Sequence, residues 1–100
     1  MHNSFTFLGQ PLKLFKAQYE NGNTALVANT LDGLPFMTIS VNLKPLDRNL
    51  VAVKDYSENE GILQTLIDAG AVENTGQIIY SGFVACPVVR VSPKIPEAAK

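Results

Sequence analysis

Residues 34–67, LPFMTISVNLKPLDRNLVAVKDYSENEGILQTLI, decide the fold. Met37, Ile39, Val41 and Leu43 fall on one face of an extended chain and Thr38, Ser40 and Asn42 on the other, the two-residue period of a half-buried strand. After a loop over 44–48 that carries Pro45 and Asp47, Leu50-Val51-Ala52-Val53 forms a second strand within 49–55. It is proline-free and rich in β-branched residues, as an interior strand should be. Ser57-Glu58-Asn59-Glu60 has the spacing of a capping box, in which the Ser57 hydroxyl accepts from the Glu60 amide and the Glu60 carboxylate reaches back to the Ser57 amide. That spacing predicts a helix over 58–69, from Glu58 to Ala69. Ile62, Leu63, Leu66 and Ile67 make its apolar stripe, Gln64, Thr65 and Asp68 its polar face, and Gly70 a left-handed end. Gly61 inside the first turns counts against it. Burying the four aliphatic side chains on a sheet contributes on the order of 6–12 kcal/mol before entropy is subtracted.

Toward the N-terminus the chain reads as further strands. Ser4 to Leu8 is short and ends in a turn at Gly9-Gln10-Pro11, and Leu12 to Tyr19 nearly alternates. Asn21-Gly22 is a hairpin signal, because both central residues of a type I′ turn need positive φ, so Thr24 to Thr30 should pair back antiparallel. Asp32-Gly33 repeats that chemistry. Toward the C-terminus, 71–76 reads as a polar link, Gln77 to Tyr80 as a short strand, and Phe83 to Val91 as a strongly β-prone one. Pro87 within it lacks a ladder donor, which predicts an edge position or a bulge. The sequence thus predicts a single domain over 1–91 and a flexible tail over 92–100, with Pro93 and Pro96. The expected fold is α+β, one twisted antiparallel sheet of five to six strands with the helix packed on one face. The alternative is a small, partly open β-barrel plugged by the helix.

Composition narrows the chemistry. A net charge of -1 and a pI near 5.7 supply no basic field for non-specific nucleic-acid binding. Charged residues are only 17%, below the usual ~25%, so the surface is polar but uncharged or partly covered by another chain. With Cys86 the only cysteine, neither an internal disulfide nor a thiolate zinc site is available. The N-terminal apolar run, Phe5 to Leu8, is shorter than that of a secretory signal, and no run reaches the ~18 apolar residues of a membrane helix. A cytoplasmic protein with no membrane association is expected.

Candidate site residues carry ordinary structural roles beside their chemical ones. His2 is the only histidine, so Ser-His-Asp, Cys-His and multi-histidine zinc sites all require it, two residues from the terminus. Cys86 lies in an apolar strand and reads as a small buried hydrophobe. Asp55, Glu58 and Glu60, with Asp47, are the acidic group that a divalent-ion enzyme would use, yet helix capping explains them and no Asp-x-Asp-x-Asp-Gly loop is present. The seven glycines are scattered singly and build no phosphate-binding motif. Lys13, Lys16 and Tyr19, with Lys44, Arg48, Lys54, Phe5 and Phe15, could form a surface for single-stranded nucleic acid; solvated strand faces explain the lysines as well.

T-I-S-V-N-L at 38–43, Asp55 after the next strand, the helix, T-G at 75–76 and S-G-F-V-A-C-P-V at 81–88 resemble a small domain-of-unknown-function family of gut bacteria, carried on phages, plasmids and conjugative elements. Where that family often has an aromatic residue before the proline, this chain has Cys86. The resemblance implies an accessory protein of a mobile element and supplies no catalytic residues. The function expected is therefore a non-enzymatic protein-binding module without a cofactor, its partner another protein or a second copy of the chain. Phe83, Ala85, Pro87 and Val89 are the expected partner-binding edge, offered for strand addition. Single-stranded nucleic-acid binding and a carboxylate/divalent-ion enzyme are the alternatives.

Overall fold

A computed structural model describes residues 3–47, 49–56 and 59–98. Among the described residues, eight strands form two four-stranded antiparallel sheets rather than the expected single sheet of five or six. The first sheet has β1 (Ser4–Phe7), β2 (Gln10–Gln18), β3 (Thr24–Thr30) and β4 (Pro35–Thr38) side by side in chain order. The second contains β5 (Ser40–Val41), β6 (Leu50–Val53), β7 (Val72–Ser81) and β8 (Val84–Val91) in the order β5-β6-β8-β7.

The reason for two sheets lies at Ile39. Alternation runs unbroken from Met37 to Leu43, but within 34–43 the first half pairs with β3 and the second half with β6. Ile39, fully buried, makes both connections: its amide donates to the Leu26 carbonyl at 2.9 Å, and its carbonyl accepts from the Lys54 amide at 2.7 Å. The next residue closes the ladder with its side chain, since the buried Ser40 hydroxyl oxygen accepts from the Leu26 amide at 2.9 Å. The two sheets are thus joined by one strand that changes partners.

The helix α1 (Ile62–Asp68) packs against β1 and β7, the outer strands of the two sheets. Ile62 and Leu66 are its fully buried residues, worth about 1.5–3 kcal/mol each. It begins later than predicted. Gly61 has φ +93, a left-handed conformation that cannot extend a right-handed helix toward 58. The Asp55 carboxylate holds the start in place, accepting from the Gly61 amide at 3.0 Å and the Leu63 amide at 3.1 Å. The predicted Ser57–Glu60 box involves Ser57 and Glu58, which lie outside the described residues. At the other end Gly70, φ +75, donates to the Ile67 carbonyl while Ala71 donates to that of Leu66, the paired bonds of a Schellman ending.

The core is continuous between the two sheets, from Phe5, Phe7, Leu12, Leu14 and Leu26 to Val51, Val53, Val89 and Val91. Ile95 also belongs to it, so part of the stretch 92–100 expected as a tail is packed into the domain. β1 covers β2 as far as Leu14, whose amide donates to the Asn3 carbonyl, and the chain after Ile95 takes the next stretch of that edge. Lys16 donates to the Pro96 carbonyl at 2.8 Å and accepts from the Ala98 amide at 2.7 Å. Residues 99 and 100 lie outside the described residues. Among the described residues no helix is long and apolar enough to cross a membrane.

Candidate partner-binding edge

β8 lies between two strands for half its length and beside one for the rest. Leu50, Val51 and Ala52 of β6 pair with Arg90, Val89 and Val88. The amide of Val91 donates to the Asn49 carbonyl at 2.8 Å, so in the alternating antiparallel ladder residues 91, 89 and 87 direct their backbone groups toward β6. Position 87 is proline, and there the β6 pairing stops. From Pro87 outward the β7–β8 hairpin continues as a two-stranded ribbon, with Ile78 opposite Pro87, Ile79 opposite Cys86, Tyr80 opposite Ala85 and Ser81 opposite Val84.

The same alternation fixes what the outer side of β7 offers. Ile78 and Tyr80 face residues whose backbone groups point away from β7, so their own amides and carbonyls point to the unpaired edge. Their side chains share one face with those of Ala85 and Pro87. Ile78 is 52% exposed, Tyr80 67%, and Phe83 in the turn is fully exposed. On the opposite face Ile79 and Cys86 are buried. Burial pushes the Cys86 thiol up from its ordinary value, with a backbone hydrogen bond at Ser81 opposing it.

A bulge separates ribbon from base. Thr75, Gly76 and Gln77 lie opposite the single residue Val88, and the Thr75 hydroxyl donates to the Val88 carbonyl at 2.7 Å in place of a ladder amide. From Asn74 to Val89, sixteen residues, there is no charged side chain; Glu73 and Arg90, paired across the strands, are the last charges before the ribbon.

Three of the four expected edge residues, Phe83, Ala85 and Pro87, lie on this ribbon. Val89 does not: it is fully buried and paired on both sides, to Val51 and Asn74, so the prediction of an edge along the whole of 83–91 is corrected. Both sides of the ribbon are unpaired, 84–87 of β8 where β6 ends and the outer side of β7, and only the β7 side is free of proline. Ile78 and Tyr80 escaped the sequence reading because Gln77 to Tyr80 looked like a minor strand; the uncharged run 74–89 was the available signal.

The nucleic-acid residues are not brought together. Lys13 and Lys16 are three positions apart on β2 and so project from opposite faces. Lys16 lies 3.9 Å from Glu97, and the Tyr19 hydroxyl is bound to the Ser40 hydroxyl at 2.8 Å, within the fold rather than free for stacking. Lys54 rests over the Tyr56 ring at 5.7 Å. Asp55 is engaged at the helix start, and no group of three or more metal-ligating side chains occurs among the described residues. His2, Arg48 and Glu58 lie outside those residues.

No family model and no solved structure matches the chain. Over 75 residues it is 29% identical to the phenylalanine–tRNA ligase beta subunit of Clostridium acetobutylicum, a match taking in 73% of this chain and 10% of that subunit. The chain therefore spans about a tenth of the curated relative that it matches.

Proposed function

We propose that this protein is a non-enzymatic binding module that takes up an extended protein segment along the outer side of β7. The supporting observation is the unprotected edge: backbone groups of Ile78 and Tyr80 directed outward, beside exposed Ile78, Tyr80 and Phe83 side chains, on a ribbon without charge. Natural edge strands are normally guarded by lysine, proline or shortness, and one left open serves as a template for another strand. Main-chain hydrogen bonds supply affinity in such a complex, and the alternate side chains Ile78 and Tyr80 supply selectivity. The motif resemblance suggests an accessory role on a mobile element as the setting, and packaging, structural or defence genes beside this one are the observation that tests it.

Selection from a library of random twelve-residue peptides, followed by solution affinity measurement, tests the edge itself. Apolar, alternating peptides of micromolar affinity are expected, with loss of at least tenfold in the Tyr80→Pro protein, which lacks the outward amide. Failure to select any peptide, or binding indifferent to that substitution, refutes the reading.

A further inference from the structure

We infer that the segment taken up is β7 of a second copy, the two strands pairing antiparallel across a two-fold axis opposite Ile79. The inference rests on the edge reading above and names its occupant. With the axis at Ile79, Ile78 of one chain lies opposite the partner's Tyr80 and the reverse, and these are the residues whose amides and carbonyls point outward. Two hydrogen-bonded pairs form, about four main-chain bonds, and each aliphatic side chain meets an aromatic one on the same face.

Charge favours self-recognition in particular. Across a two-fold axis a strand meets its own residues, so any charge near the axis repels its copy. From Asn74 to Val89 there is none to do so. A buried aromatic removes roughly 150–250 Å² from water, so Tyr80 and Phe83 present on the order of 300 Å² per chain before Ile78 and backbone are added, below the ~800 Å² per partner of a stable interface. The dimer is therefore a weak, concentration-dependent one. The assembly also closes. Pairing through β7 makes one eight-stranded sheet whose outer strands are the two copies of β5, each only two residues long and too short to recruit a third chain. The bulge at 75–77 confines the contact to the outer half of β7, which fixes the register near Ile79.

Sedimentation equilibrium of the full chain from about 1 to 200 μM is the test. Twice the 10.8 kDa chain mass is expected at the upper end. Ile78→Lys and Tyr80→Lys, each setting like charges across the axis, should raise the dimer dissociation constant at least tenfold, while circular dichroism and the melting temperature at low concentration stay unchanged. Phe36→Lys, on the other exposed apolar hairpin, should leave the constant unaltered. Register is read by mixing Ile78→Cys with Tyr80→Cys under mild oxidation: a disulfide between the two variants is expected, since directly opposed residues have the Cα separation a disulfide needs. A monomer throughout, with peptides still binding the edge, overturns the dimer and leaves the edge reading standing. A dimer unaffected by either lysine, or weakened by Phe36→Lys instead, places the interface elsewhere and also overturns it. Loss of peptide binding and dimerisation together refutes both.

Discussion

The β3–β4 and β7–β8 turns both hold apolar side chains in water, Leu31, Leu34 and Phe36 on the first and Ile78, Tyr80 and Phe83 on the second, yet the two hairpins are built differently. The first is guarded. Its outer strand β4 is four residues long and opens with Pro35, and its turn carries Asp32, which accepts from the Thr30 hydroxyl while the Leu34 amide donates to that hydroxyl at 3.0 Å. Beyond it the chain runs straight into Ile39 and Ser40, where both sheets hold it. The second hairpin is secured at its base by β6 and released at Pro87, and its ten-residue outer strand has neither proline nor charge over the free half. Exposed hydrophobic side chains alone do not mark a binding surface. A shortage of edge guards separates the two hairpins, and that is a property of strand length, proline placement and charge.

The sharpest break in this comparison lies within β8. Val89→Asp puts an unpaired carboxylate into a position with no exposure, between two paired strands, and is expected to destabilise the fold by at least ~3 kcal/mol or prevent it. Ala85→Asp, four residues along the same strand but exposed on the ribbon, should change stability by less than about 0.5 kcal/mol. Urea unfolding followed by circular dichroism, at concentrations below any association, measures both. Equal losses would mean that the ribbon is as much a part of the core as its base.

Ser40→Ala addresses the anchored hairpin. The substitution leaves the Leu26 amide without its acceptor at a buried junction and reduces the Tyr19 hydroxyl to its 3.3 Å bond to the Ser40 carbonyl, so a loss of about 1–3 kcal/mol is expected from the same unfolding measurement. Faster amide exchange should follow in β4 and β5, with the β7–β8 ribbon unaffected. A smaller loss, about 1 kcal/mol, is expected for Asp55→Ala, which removes the acceptor that holds Gly61 and Leu63 at the start of α1. Because α1 packs against β1 and β7, exchange should rise there and leave β4 untouched.

Much of this is legible in the residues, and the illegible part has a common cause. The hairpin at Asn21-Gly22, the antiparallel strands and the buried stripe of Ile62 and Leu66 are present, although the turn is not the expected type I′: only Gly22 has positive φ, and its amide donates to the Tyr19 carbonyl at 2.9 Å in a three-residue loop. Alternation says which way a side chain points but not which strand lies alongside, so the run 34–43 looked like one strand of one sheet although Ile39 divides it between two. The same limit applied at Pro87. Its missing donor reads as an interruption of pairing, but the sequence does not say on which side; the interruption falls on the β6 side of β8, and the outer side of β7 at Ile78 and Tyr80 is unpaired independently of it. The docked stretch after Ile95 was hidden by two prolines, since nothing in 92–98 announces that the edge of β2 beyond β1 lacks a partner. The candidate site was half legible for this reason: its apolar, charge-free composition is local, and its exposure is not.

The smallest effect distinguishes the two faces of the ribbon. If Ile78 and Tyr80 face a partner while Cys86 is held inside, the thiol stays neutral in the native protein after its unfolded counterpart has ionised, since burial raises it above its ordinary value. The native state then binds more protons than the unfolded one, so this group's contribution to stability is complete below the unfolded pKa and is lost as pH rises through the raised native value. The slope is limited to one proton, about 1.4 kcal/mol per pH unit, and vanishes at neutral pH. Comparing wild type with Cys86→Ala in urea from pH 7 to 10 isolates it, because other groups titrate equally in both proteins and the packing loss on removing sulfur does not depend on pH. The difference in stability between the two should be constant to about pH 8 and shrink above it. A thiol-specific reagent at pH 8 should correspondingly react with Cys86 only as fast as the ribbon opens, and reaction at the rate of a free thiol would show that the face assigned to the interior is exposed.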